Sequence, residues 1–393
     1  MAVINNTYRM IMIFKDTGTQ HMIDTIVLTL PQGMYTISDP DRFTPSAAWA
    51  CADAFKPRHA LVSKQNRTKK ELLKGVYKPR LTLSNRIDRQ GVREITLKIE
   101  LSLPKLLFGN NFAELRFKDF TPVADKLVAV LAGMGVVTTA QLLAQAPVST
   151  VHYSKNFRLT DGSTPFHYIN KIKEANVKLS LDINQTDYRN AGHSYKWHCN
   201  AYEVVFYDKI KDLATSQVSA KRAIEPDGAL QVKLLDTLRK RSKLEVLRME
   251  VRLNKRQKIK QLFKQLNITA DITFKKLFKP AIAKKVLLHY LDQLECKRLV
   301  LLDARVTNDK ALLAELIINN PDLGPKQIMQ MFGLRKALDV VSPRELRVMF
   351  SRCSVRSWYR LMTDAQKVKL PNAHSPLRVL REQLVKFEII KNI

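Results

Sequence analysis

The chain is predicted to be α+β, a mixed strand-and-helix domain followed by a basic domain built only of helices. Three observations predict this. Alternating apolar runs recur from Met22 to Leu253, the pattern of half-buried strands. From about Asn254 the alternation stops, and apolar residues recur at helical spacing. Positive charge is dense across that join, with 19 Lys or Arg against six Asp or Glu between Gln231 and Val300. Domains are therefore placed at residues 22–255 and 256–393, with residues 1–21 as an N-terminal extension and Met22 as an alternative start.

"MIDTIVLTL" (Met22 to Leu30) is a β-rich run stopped by Pro31. "YKPRLTLSNRIDRQGVREITLKIELSL" reads as a hairpin, with Asp88 to Gly91 supplying turn residues. In "TPVADKLVAVLAGMG", Thr121 can cap a helix, Pro122 suits its first turn, and Gly133 or Gly135 ends it. A short helix follows Thr138 and Thr139, then the strand "VSTVHYSKNFRL" and a second cap-then-proline helix, "STPFHYINKIKEAN". "VKLSLDI" and "AYEVVFY" are two further strands flanking a polar loop, "NQTDYRNAGHSYKWHCN". A helix through "ALQVKLLDTLRKR" leads into a last strand, "LEVLRMEVRL". Beyond it lie helical runs broken at Pro321, Gly324 and Pro343. "PKQIMQMFGLRKALDVV" has two short helical runs around Gly333, as a helix-turn-helix has.

The 393 residues suit two or three domains, and 45% hydrophobic with 26% charged residues is an ordinary globular composition. The formal charge of +30 is not ordinary. It attracts polyanions over long range, and nucleic acid is the commonest such partner. Cys51, Cys199, Cys296 and Cys353 lie far apart with no CxxC pair, which excludes a zinc ribbon and points to a reducing, cytoplasmic setting. The first residues lack a basic n-region and a cleavage site, and no uninterrupted apolar run reaches the ~18 residues of a membrane span. No membrane partner is expected.

Strand alternation gathers polar residues on single faces. In "VLRMEVRL", Arg248, Glu250 and Arg252 oppose Leu247, Met249, Val251 and Leu253. An acid between two arginines can hold a divalent cation while the guanidinium groups grip phosphate, or it can be a self-neutralising surface ladder. His152, Ser154, Asn156 and Arg158 share a face opposite Val151, Tyr153 and Phe157. His152 is a candidate metal ligand or a hydrogen-bonded structural histidine. Lys155 and Arg158 are candidate phosphate ligands from the same strand. Glu100 and Lys98 face away from Leu97, Ile99 and Leu101. Glu203, Val205 and Tyr207 share one face of "EVVFYDK", and Lys209 joins them if the strand persists. Tyrosine, a divalent cation and basic residues together suit phosphodiester transesterification. A phenol of pKa about 10 is a poor nucleophile at neutral pH unless a cation or a lysine stabilises its phenolate.

Other signals are thinner. "GHSYKWHC" holds His193, His198 and Cys199 without a second ligand pair for zinc. Trp197, Tyr195 and Tyr188 can stack on single-stranded bases, or Trp197 can be a buried core residue. The chain has no Walker-type phosphate loop, GxSxG or HExxH.

Taken in order, "MIDTIVLTLP", "LKIELSLPKLLFGNN", "VSTVHYSKNF", "VVFYDKIKDL" and "VLRMEVRL" resemble the gene-two replication initiators of filamentous phages and their plasmid-like relatives, which are rolling-circle nickases. The resemblance spans about Met22 to Leu253. It implies an antiparallel-sheet nicking domain of the HUH/Rep-like kind, a helical DNA-binding or accessory region, and Mg²⁺ or Mn²⁺ as cofactor. The family's nucleophilic tyrosine falls on Tyr207, the lysine of its Tyr-x-Lys motif on Lys209, and its Arg-x-Glu strand on Arg248 and Glu250. Glu250 and His152 are the candidate metal ligands, with Glu100 as a further one. Arg248, Arg252, Lys155, Arg158 and Trp197 are the candidate DNA or phosphate contacts. Thr150-Val151-His152 stands where some members have Arg-Ile-Asp, which shifts preference away from hard-oxygen ions. Implied partners are double-stranded origin DNA, single-stranded DNA, and a host helicase and polymerase, in a bacterial cytoplasm.

Two rivals remain. A tyrosine recombinase requires an HxxR box, and no His here has Arg at that spacing. A non-catalytic, helix-turn-helix DNA-binding regulator explains the charge but not the five ordered strand motifs.

Overall fold

A computed structural model describes residues 23–51, 61–68, 71, 76–87, 93–160, 162–173, 186–189, 192–213, 244–296, 298–303, 308–341, 343–371 and 375–387. The strand expected at 177–183, the helix expected at 229–241, the turn at 88–91 and the extension 1–21 lie outside them. The chain is α+β, with a large antiparallel sheet followed by helices.

In chain order the elements are β1 (Ile23–Pro31), β2 (Thr36–Ile37), β3 (Val62–Gln65), β4 (Arg80–Ile87) and β5 (Arg93–Ser102). Then come α1 (Leu103–Phe108), α2 (Phe120–Gly133), β6 (Val136–Val137), α3 (Ala140–Gln145), β7 (Val148–Arg158) and α4 (Pro165–Lys173). Strands β8 (Thr186–Arg189), β9 (Ser194–His198), β10 (Tyr202–Asp208) and β11 (Val246–Leu253) complete the sheet. Helices α5 (Arg256–Gln265), α6 (Phe274–Leu277), α7 (Pro280–Glu295), α8 (Asp309–Asn319), α9 (Pro325–Val340), α10 (Pro343–Met349), α11 (Val355–Lys367) and α12 (Pro376–Lys386) follow.

Nine strands form one sheet in the order β3-β4-β5-β1-β7-β11-β10-β9-β8, each pair antiparallel. β2 and β6 form a separate two-stranded ribbon. The local signals behave as their chemistry requires. Thr139 caps α3 by accepting the Leu142 N–H at 3.2 Å. α2 starts one residue before the expected Thr121 cap, because Asp119 Oδ2 accepts the Arg116 N–H at 2.6 Å and closes a preceding 3₁₀ turn. After α2 the chain turns at Gly135, whose φ is +78° and where a Cβ would lie 2.8 Å from that of Asp39. Only glycine fits that turn.

The sheet's apolar face buries Ile26, Leu28, Leu97, Ile99, Val151, Tyr153, Met249, Val251, Val204 and Phe206. Helices α4, α5, α7 and α12 pack over it. This moves the expected boundary at residue 256. Ile259, Leu262, Phe274, Leu287 and Leu291 belong to the same core as the strands, and so do Leu377, Leu380 and Leu384 of α12. The second core runs from Leu299 to Leu370. A periodicity switch marks a change of secondary structure, but a sheet with one apolar face must find helices to cover it, and these are the nearest in sequence.

Two further expectations change. The polar loop around Tyr195 is the β8–β9 hairpin, because Tyr195 and Trp197 alternate inward against Phe206 and Val204. The helix-turn-helix around Gly333 is one continuous helix, α9, since an isolated glycine costs only about 1 kcal/mol within a helix. Among the described residues no helix is long and apolar enough to cross a membrane.

Candidate active site

The site lies on the sheet's other face, where β10, β11 and β7 are direct neighbours. Their registers stack three rows: Tyr207–Arg248–Asn156, Val205–Glu250–Ser154 and Glu203–Arg252–His152. Period-two alternation presents these rows on one surface while Phe206, Met249 and Phe157 enter the core. Packing therefore fixes the direction of each polar side chain.

Glu250 is the hub. It is 2% exposed. Its Oε1 accepts the Arg252 Nε–H at 3.0 Å and lies 3.4 Å from His152 Nδ1. Its Oε2 accepts the Tyr207 hydroxyl at 3.3 Å and Arg252 Nη2–H at 3.4 Å. Burial raises the carboxyl's pKa, but Arg252, His152 and Arg248 outweigh it and hold the group ionised well below its usual range. The Arg252 guanidinium is held protonated mainly by Glu250, and it also reaches Glu203 at 3.2 Å. On its far side, His152 Nε2 lies 3.3 Å from Asn254 Oδ1.

Arg248 is also 2% exposed. It reaches Asp24 at 3.0 Å and donates to Ser154 Oγ at 2.7 Å and Asn111 O at 2.6 Å. Asp24 joins the site through an irregularity. The β1–β7 register shifts between Ile23 and Thr25, and this β-bulge turns Asp24 to the polar face, which plain alternation from Thr25 would deny it.

The phenol of Tyr207 is pushed well above its usual pKa of 10.0. Burial is the largest cause, opposed by Arg248 and reinforced by Glu250, Asp212 and Asp24. Lys209 Nζ stands 5.5 Å from the centre of the Tyr207 ring and 3.0 Å from Asp212. The strand does not persist to Lys209, as sequence alternation would have required. Asp208 ends β10 and accepts the N–H groups of Ile210 and Lys211 at 3.0 and 2.9 Å, capping a helical turn over 209–213. That turn buries the lysine completely, and desolvation lowers its pKa.

The structure thus gathers Tyr207, Lys209, Glu250, His152, Arg248 and Arg252. Arg158 ends β7 on the same face, beyond the Tyr207 row, and is partly exposed. Three expected site residues are not gathered. Glu100 pairs in register with Val27 of β1, which itself faces Thr150, so a whole strand separates it from β7. It is half-exposed and lies 3.8 Å from Arg80. Lys155 alternates away from His152, is buried, and donates to Glu114 at 2.9 Å. Trp197 is 0% exposed and packs edge-on against Tyr195 and Phe206. It is core, so it offers no stacking platform. His193 of the weak zinc cluster lies instead 3.4 Å from Asp208.

Sequence reasoning missed Asp24, Asp212 and Glu114. Asp212 carried a signal, since it lies one helical turn after Lys209 in "YDKIKD". Asp24 had none, because a bulge follows from pairing.

As a cation site the donor set is half built. His152 Nδ1 and Glu250 Oε1 are 3.4 Å apart, a separation one ion can bridge, but the imidazole favours softer ions than Mg²⁺ and Arg252 already donates to both Glu250 oxygens. Among the described residues no group of three or more His, Cys, Asp or Glu gathers as a metal site. No family model, curated protein or solved structure matches the chain.

Proposed function

We propose that this protein is a rolling-circle replication initiator, a strand-specific DNA nickase and joining enzyme that works by tyrosine transesterification. The observation that carries the reading is the Tyr207 hydroxyl, 3.3 Å from Glu250 on a face that also holds Arg248, Arg252 and His152. The five ordered motifs resembling phage gene-two initiators supply its context.

Tyr207 Oη attacks the scissile phosphorus and loses its proton to solvent. The P–O3′ bond breaks and the 3′ oxygen takes up a proton. The products are a 5′-phosphotyrosine and a free 3′-OH that primes a host polymerase, with a host helicase opening the duplex. The ester keeps the bond energy, so a later 3′-OH can attack it and rejoin the strand. Because burial and three carboxylates keep the phenol protonated, the groups favouring the phenolate matter most. Arg248 is one, and Lys209 over the ring is the other. Arg252, one-third exposed, and Arg158 would meet the phosphate backbone. His152 and Glu250 would hold Mg²⁺ or Mn²⁺, which polarises the scissile phosphate when bound. Held there, the cation would also offset the Glu250 charge that opposes ionisation of Tyr207. The basic helices after β11 would contact the origin duplex, in the cytoplasm of a bacterial host.

The test is Tyr207→Phe, incubated with supercoiled origin DNA and Mg²⁺. The variant should neither nick nor form the covalent adduct seen with wild type on a denaturing gel. Nicking and adduct formation by the variant would overturn the assignment, and nicking undiminished in EDTA would remove the metal role.

A further inference from the structure

Outside the site, a strongly basic groove runs between α5, the 267–273 loop, α6 and the start of α7. Two adjoining depressions share Ile268, Ala270 and Asp271 in their walls. Arg256, Lys260 and Lys264 line one, and Lys276, Lys279 and Lys285 line the other. All six cations are exposed, and none has an ion-pair partner among the described residues. Residues 256–285 hold nine Lys or Arg against a single acid, Asp271. The helical module of residues 299–370 holds 12 against seven acids in more than twice the length. Net positive charge is therefore denser over 256–285 than over the distal helices, and six of its nine cations line the groove.

Such a concentration costs self-repulsion, which a polyanion would relieve. The groove also lacks what a single strand needs. Phe263, Phe274 and Phe278 are buried in the core, so no aromatic face is open for base stacking. Its chemistry suits a phosphate backbone held at fixed spacing, with no reading of bases. Chain continuity ties the groove to the edge of the site, while α5 and α7 themselves pack over the sheet's opposite face. Asn254, which lies beside His152, is two residues before Arg256 at the start of α5.

We propose that the groove lined by Arg256, Lys260, Lys264, Lys276, Lys279 and Lys285 is a sequence-independent docking surface for the phosphate backbone of duplex DNA flanking the cleaved strand. The proposal rests on the reading that the chain acts on DNA, and it assigns duplex binding to 256–285 rather than to the helices of 299–370.

The experiment measures duplex affinity by fluorescence anisotropy on a labelled 30-base-pair duplex across a salt series. It compares wild type, a Lys260→Ala/Lys264→Ala/Lys276→Ala variant of the full chain, and an Arg352→Ala/Arg356→Ala/Arg360→Ala variant in the distal module. Each lost phosphate contact reduces the slope of log affinity against log salt by about 0.9, so the groove variant should lose up to about 2.7 from the slope. The distal variant should keep the wild-type slope. Circular dichroism confirms that both are folded, which exposed Lys→Ala changes should not disturb. An unchanged slope in the groove variant, a loss confined to the distal variant, or stronger binding of an unpaired 30-mer than of the duplex would each overturn the proposal. Adduct formation at Tyr207 is scored separately. A reduced slope without any wild-type adduct leaves the groove standing and removes the nickase reading. A normal adduct with an unchanged slope does the reverse.

Discussion

Glu250→Gln is the most informative single change, because one atom replaced alters charge while keeping shape. In the wild type the carboxylate is buried and meets Arg252 at 3.0 and 3.4 Å, His152 at 3.4 Å and the Tyr207 hydroxyl at 3.3 Å. Removing one partner of a buried ion pair typically costs about 3–5 kcal/mol. Arg252 is 34% exposed and keeps Glu203 at 3.2 Å, so solvent and that second acid absorb part of the loss. The expected destabilisation at pH 7 is therefore about 2–3 kcal/mol, read by urea denaturation.

The pH dependence gives a second check on the same variant. The folded-state pKa of Glu250 is depressed, so its stabilisation is present above the unfolded carboxyl value of about 4.3 and is lost as pH falls towards the folded one. The gap between wild type and variant follows that loss. Below about pH 4.3 it should shrink by about 1.4 kcal/mol per pH unit. A variant as stable as wild type at pH 7, or a gap that does not narrow in acid, would refute the charge network.

Three further predictions follow from the geometry. Lys209→Met fills the same buried volume without the ammonium, so it should fold yet slow adduct formation by about 10²–10⁴-fold in single-turnover assays. Full activity in that variant would make the lysine structural. Glu100→Gln should leave nicking and its Mg²⁺ dependence unchanged, because β1 separates that residue from His152 and Glu250. A raised Mg²⁺ requirement would return Glu100 to the site. Trp197→Ala should destabilise the fold by about 3–5 kcal/mol, while the folded fraction keeps its affinity for a single-stranded oligonucleotide. Loss of that affinity at unchanged stability would contradict a core role.

By itself the sequence determined which side chains share a strand face. Glu203, Val205 and Tyr207 fall together, as do Arg248, Glu250 and Arg252, because alternation is a property of the extended backbone and needs no partner strand. Helical spacing after Asn254 was legible for the same local reason. Only the tertiary structure decided which strands are neighbours. Placing β11 between β7 and β10 joined Glu250 to both His152 and Tyr207, while β1 divided Glu100 from them. Pairing also made the bulge that turned Asp24 towards Arg248. Burial decided the rest. The uncovered apolar face drew α5 and α7 into the strand core and left Trp197 inside it. Strand pairing and burial depend on hydrogen bonds and contacts between residues far apart in sequence, and a periodicity of two says nothing about them.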